Sequence, residues 1–155
     1  MSERTRIRGI AQREPARPRR AEGAAVLALQ PAPGPRPAGE RWEDSQATVA
    51  VRGELDRDAL WAIDYTIGRA SIEAGRIVLD LREVAHLDYA GVAELVARRR
   101  ELRGRGGELV IAVRNPYVAN ILKSAGGSDL SFCRSPEEAF VAVAVAQAAP
   151  RRRQQ

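Results

Sequence analysis

The chain has 155 residues, enough for one domain plus tails, and its formal charge of +5 is unevenly spread. Residues 1–41 carry nine Arg against four acids, Arg151, Arg152 and Arg153 add three charges, and residues 42–149 hold 13 basic and 16 acidic groups. A mildly acidic domain with basic ends argues against a nucleic-acid-binding core, whose footprint is a basic face on the domain itself. The single Cys133 excludes an intramolecular disulfide and fits a reducing compartment. No run reaches the ~18 apolar residues of a membrane span.

Residues 1–41 are rich in Arg, Pro, Gly and Ala without sustained periodicity, the signature of a disordered arm. The apolar patch at residues 24–29 is shorter than a signal-peptide core of about 7–15 residues, so a cytoplasmic protein is expected. From Trp42 to residue 149 the pattern is that of a folded domain, and residues 150–155 form a basic tail. Residues 42–47 are read as an added edge strand, antiparallel to the next. Residues 48–52 (Thr-Val-Ala-Val-Arg) alternate and are β-branched, which predicts a strand ended by Gly53-Glu54-Leu55-Asp56. Asp56 or Asp58 caps the following helix, whose apolar positions Leu60, Ile63, Ile67, Ala70 and Ala74 recur at helical spacing until Gly75 stops it. Trp61 falls one position off that stripe and is expected to cover the edge of the core.

Residues 77–81 (Ile-Val-Leu-Asp-Leu) are continuously apolar apart from Asp80, the mark of a strand covered on both faces. A short connection carries the chain to His86-Leu87, where His86 is expected to be a partly buried structural residue. Asp88-Tyr89-Ala90-Gly91 then forms a tight turn opening a helix over residues 91–102, with Val92, Leu95, Val96 and Leu102 inward. Such a turn directs backbone N–H groups and the positive end of a helix dipole towards solvent. Arg98-Arg99-Arg100 near the far end reads as a solvated helix terminus opposing the dipole, with partner contact as the alternative. After a turn at residues 104–107, residues 108–113 are the next buried strand. Asn115 caps and Pro116 begins a helix with Val118, Ile121, Leu122 and Ala125 inward, ended by Gly126-Gly127. Residues 130–133 are a short strand that makes Cys133 a packed thiol. Ser135-Pro136-Glu137-Glu138 opens a last helix burying Ala139, Phe140, Val143 and Ala144. Strands alternating with helices predict an α/β domain, a mostly parallel mixed sheet of four or five strands packed against about four helices.

The residue inventory argues against catalysis. With one His and one Cys there is no Cys/His cluster for zinc and no nucleophile turn around His86. The phosphate-loop motif is missing, and the glycines at 104–107 precede a strand where a phosphate cradle follows one. Glu54, Asp56, Asp80 and Asp88 are the right residue types for paired carboxylates, but no spacing brings them to one cleft. No metal, cofactor or enzymatic activity is expected.

The segments Gly53–Asp56, Ile77–Leu81, Asp88–Val92, Gly106–Leu109 and Ser135–Ala139 fall in the order and spacing of a STAS domain, and the chain resembles that family over roughly residues 43–146. The resemblance is to bacterial anti-sigma-factor antagonists. It implies a non-catalytic regulatory module of a partner-switching pathway, which binds an anti-sigma factor or serine-kinase-like protein until phosphorylation of a Ser or Thr in the Asp-x-x-Gly turn ends the binding. The family's phosphoacceptor falls on Ala90, and the variant one place earlier falls on Tyr89, whose hydroxyl lies several ångströms farther from the backbone than that of a serine. Asp88 and Gly91 keep the shape of the turn. The resemblance thus implies a docking surface at Asp88, Tyr89, Ala90 and Gly91, with Glu54, Asp56, Glu94 and Arg98 around it, without the usual switch. Small stand-alone STAS proteins also resemble accessory subunits of ABC-type lipid transport systems that contact the ATPase, the alternative partner. Whether the domain forms a homodimer is left open at this point.

Overall fold

The computed structural model describes residues 26–31 and 38–139. The elements are β1 (Val26–Pro31), β2 (Gln46–Leu55), α1 (Arg57–Ala70), β3 (Arg76–Leu87), a single 3-10 turn (Tyr89–Gly91), α2 (Val92–Gly104), β4 (Glu108–Ala112), α3 (Pro116–Gly126), a second 3-10 turn (Gly127–Asp129) and β5 (Phe132–Cys133). A further helix opens at residues 136–139. The five strands lie in the order β1-β2-β3-β4-β5, β1 antiparallel to β2 and the remaining pairs parallel. This is the mostly parallel α/β sheet that the alternation of strand and helix predicts.

Strand order and chain order coincide, so each right-handed crossover steps the same way, and α1, α2 and α3 are placed on one face of the sheet. The main core forms there: Leu60, Ile63 and Ile67 of α1 and Leu95 and Leu102 of α2 are buried against Val49, Leu79, Leu81, Leu109 and Ile111. Burying each such Leu or Ile is worth about 1.5–3 kcal/mol relative to leaving it exposed. The opposite face carries a smaller cluster of Val78 and Ala112 under Ala139, with Val110 and Cys133 beside it. Phe140, Val143 and Ala144, expected to continue that contact, lie outside the described residues.

Several expectations are corrected. The antiparallel edge strand is formed by residues 26–31, inside the segment read as a disordered arm, while residues 42–44 are a turn. Trp42 in that turn donates its indole N–H to the Ser71 carbonyl at 2.9 Å, and the Arg105 guanidinium lies 4.7 Å from its ring. α1 ends at Ala70, not at Gly75, because Ser71 closes the helix through its backbone N–H and Ser71 Oγ donates to the Gly68 carbonyl at 2.7 Å. Gly75 instead donates its N–H to the Trp42 carbonyl at 2.8 Å, where a side chain would meet that oxygen. The connection expected before His86 is strand: β3 continues to Leu87, paired with β2 across two register shifts. β4 pairs with β3 only from Arg76 to Asp80. The last seven residues of β3 therefore project past β4, beside β2, and carry the 88–91 turn outward.

Candidate partner-docking face

The parallel register places Glu54 opposite His86 and Leu55 opposite Leu87, and the Asp88 N–H donates to the Leu55 carbonyl at 2.8 Å. Asp56 and Asp88, the next residue on each strand, therefore stand side by side at the C-terminal edge of the sheet. Both serve as helix caps. The Asp56 carboxylate accepts from the Ala59 N–H at 2.8 Å at the start of α1, and the Asp88 carboxylate accepts from the Ala90 N–H at 2.9 Å at the 3-10 turn leading into α2. In each case the side chain satisfies a donor that the helix start leaves unpaired.

The turn is held from below by Gly91. Its backbone is helical (φ −82°, ψ −9°), so conformational freedom is not what requires glycine there. A methyl group would overlap Leu60 Cδ1 and lie 2.9 Å from Leu60 Cγ. Gly91 and Leu60 are both buried, while Tyr89 and Ala90 are exposed, Tyr89 by 62%. The turn thus presents a phenol, a methyl and a capping carboxylate above a buried Gly91–Leu60 contact, and no small hydroxyl.

Two aromatic pairs border it. Trp61 and Tyr65 stack on α1 with centroids 6.0 Å apart, 67% and 56% exposed. His86 stacks on Tyr117 of α3 at 5.7 Å, with the Tyr117 hydroxyl 3.3 Å from His86 Nδ1. His86 is exposed, not partly buried, because β3 has outrun β4 there and only the first turn of α3 stands beside it. Trp61 does not cover the core; it faces solvent. Residues 61 and 65 lie one helical turn apart and off the apolar stripe, a spacing that points to solvent and not to the core edge expected for Trp61. The His86–Tyr117 contact joins residues 31 apart and has no sequence signal.

Of the surrounding residues, Glu54, Asp56 and Glu94 are exposed on this edge. Arg98 is engaged elsewhere: its guanidinium pairs with both Asp64 oxygens at 2.9 Å and with Glu101 at 2.7 Å, and these bonds hold it raised above the ordinary arginine pKa against the opposing effect of burial. Arg98 and Arg99 depart from the expected solvated helix end, while Arg100 is exposed as expected. Arg99 is 9% exposed, binds Glu108 through Nε (2.7 Å) and Nη2 (3.2 Å), and donates from Nη1 to the Asp129 carbonyl at 2.8 Å. Arg100 pairs with Asp129 at 2.7 Å. The missed signal is spacing: Arg99 lies on the same helical stripe as Val92, Leu95, Val96 and Leu102 and must face inward.

Asp56 and Asp88 are used as caps, and Asp80 is held by Arg82 through two 2.9 Å bonds one strand-length away. No group of three or more His, Cys, Asp or Glu suited to a metal occurs among the described residues. Burial, with Glu138 and Asp80 nearby, pushes the Cys133 thiol up in pKa, which disfavours the reactive thiolate. No helix among the described residues is long and apolar enough to cross a membrane.

The family model described as Mlab, STAS domain matches residues 38–132. Among solved structures, the chain superimposes on an anti-sigma factor antagonist from Mycobacterium paratuberculosis with a TM-score of 0.64 at 21% identity, over 80% of this chain and 97% of that one. The anti-sigma factor antagonist SpoIIAA in its unphosphorylated form gives a TM-score of 0.57 at 22% identity, over 77% and 97% of the respective chains. The phosphorylated form of the Bacillus cell fate determinant SpoIIAA gives 0.54 at 21% identity, over 76% and 99%. At these identities the likeness establishes a shared fold.

Proposed function

The chain belongs to the STAS domain family, and on that premise we propose that it is a non-catalytic, cytoplasmic regulatory module that binds an anti-sigma factor or serine-kinase-like protein through the 88–91 turn. The binding is not switched by phosphorylation at that turn. The observation that carries this reading is the turn itself: Asp88 caps it and Gly91 seats it on Leu60, while the exposed positions that the family phosphorylates hold Tyr89 and Ala90. A turn that is capped, seated and exposed while its acceptor is absent fits a surface used for contact. Phosphate on a small hydroxyl there would add nearly two negative charges to the interface.

A second reading, which the resemblance implies, is that the same face contacts the ATPase of an ABC-type lipid transport system. Affinity capture with the tagged full chain, followed by mass spectrometry, separates the two. A kinase-like anti-sigma protein lost on Ala90→Asp supports the first reading. An ABC ATPase, captured without any kinase-like protein, overturns it in favour of the second. Transfer of phosphate to residues 88–91 by the captured kinase would refute the absence of the switch.

A further inference from the structure

The sheet face away from α1, α2 and α3 holds a hollow that the docking turn does not use. The register sets Ala28 of β1 opposite Ala50 of β2, Ala50 opposite Asp80 of β3, and Asp80 opposite Ala112 of β4. Their chain neighbours Leu27, Val49, Leu79 and Ile111 pack in the main core, so by alternation these four side chains point the other way. The result is a floor of methyl groups with one carboxylate. Two residues farther along each strand come Arg52, Arg82 and Arg114, the last just past the end of β4. Together with Gln30 and Glu83 these residues line a hollow of about 380 Å³, within the range of small-molecule sites.

Guanidinium groups on neighbouring strands repel one another, and these three are unequally engaged. Arg82 is fixed: Nε and Nη2 donate to the two Asp80 oxygens at 2.9 Å each, and its backbone N–H donates to Asp80 Oδ1 at 3.1 Å. The hydrogens of Nη1 and one of Nη2 form no bond found among the described residues. The register shift after Ala50 gives β3 one extra residue, which turns Glu83 as well as Arg82 to the hollow, as a bulge does. Arg52 reaches Glu83 only at 3.6 Å, the two side chains being 66% and 68% exposed, and such a pair is weakly held. Arg114 is exposed and joins none of the ion pairs found among the described residues. The lining thus sets three cations against two anions, and the exposed Glu137 adds a negative charge near Arg82. A surplus of one charge at most suits a monoanion, whereas a polyphosphate would bring its charges up against Asp80, Glu83 and Glu137. A planar carboxylate accepts paired guanidinium bonds, and a methyl floor takes an apolar body.

We propose that this hollow binds a small organic monocarboxylate, with its carboxylate on the Arg82–Arg114 side of the arginine row and its apolar body on Ala28 and Ala50. The site stands apart from the 88–91 turn and does not depend on what that turn docks.

The test titrates the full chain with benzoate, and with benzamide as its uncharged counterpart, and follows the backbone amide NMR shifts. Benzoate should give saturable shifts at Ala28, Ala50, Arg82 and Arg114, half complete at about 1 mM, and benzamide should give none up to about 20 mM. Arg114→Gln should weaken benzoate binding at least about fivefold, as loss of a charge-assisted bond does. Ala50→Leu should abolish it by filling the floor. Both variants should otherwise keep the native spectrum. No saturable shift with benzoate would overturn the proposal, as would an equal response to benzamide, shifts gathered on another face, or undiminished affinity in Arg114→Gln. Tighter binding of inorganic phosphate or of adenosine triphosphate than of benzoate would make this a phosphate site and overturn the assignment to a carboxylate.

Discussion

Gly91 and Ala90 are neighbours with opposite roles, one inward and one outward. The Gly91 position is filled by Leu60, so Gly91→Ala forces either Leu60 from its rotamer or the turn from its seat. Overpacking of this kind costs about 1–3 kcal/mol, and urea unfolding should show the midpoint shift; an unchanged midpoint would mean that Leu60 yields freely. Ala90 is exposed and supports nothing below it. Ala90→Asp should therefore leave the unfolding midpoint in place and weaken partner binding by about 1–3 kcal/mol, as an uncompensated charge in an interface does. Titration calorimetry with the captured partner distinguishes the two. Equal affinity for the Asp variant would put the contact elsewhere on the molecule.

Among the elements, α2 is joined to the rest of the fold by its arginines as well as by its apolar stripe. Arg98 ties it to α1, Arg99 to β4 and the turn after α3, and Arg100 to that same turn. Arg99→Ala leaves Glu108 half-shielded, with only Arg103 at 3.8 Å to replace the lost partner, and deprives the Asp129 carbonyl of its donor. Removing one member of a shielded pair is expected to cost about 2–3 kcal/mol here, less than for a fully buried pair because Glu108 keeps some solvent. Arg99→Lys should recover only part of this, since an ammonium cannot span both oxygens. Equal unfolding midpoints for wild type and Arg99→Ala would show that Arg103 takes over the pair.

The same elements show why some of the fold was legible and some was not. β2, α1, the first half of β3, β4 and α3 announce themselves by period and caps: Asp56, Asn115 and Pro116 do what their positions predict. β1 was hidden because its apolar residues lie within an Arg- and Pro-rich stretch and its pairing partner is far along the chain, Val26 meeting Arg52. The outer half of β3 was hidden because it pairs on one side only and its register shifts break the alternation. The arginine cluster looked solvated because its anions come largely from other elements, up to 34 residues distant. At the docking face, Asp88 and Gly91 could be read from the turn motif, and Glu54 and Asp56 are brought to it by the β2–β3 register. Arg98 is drawn into the fold, and the bordering pair His86–Tyr117 exists only because β3 outruns β4.

For the whole molecule, charge and topology act together. All parallel strands end at one edge, so both cap carboxylates and the exposed Glu54, Asp58 and Glu94 collect there, with Arg57 an exposed cation among them, while the chain's net positive charge comes from its first 41 residues and its last few. A partner approaching the turn meets a local acidic field, and association steered by such a field quickens for a basic surface and slows with added salt. Reversing two rim charges, Glu54→Arg with Glu94→Arg, touches no cap and no ion pair found among the described residues, so unfolding should be unaffected. The association rate with the captured partner should fall about tenfold at low salt and approach the wild-type rate as salt screens the rim, with the dissociation rate nearly constant. Stopped-flow or surface-plasmon traces over a salt series measure both. A reversal that leaves the association rate alone while speeding dissociation would mean that these carboxylates lie inside the contact, paired with the partner, instead of around it.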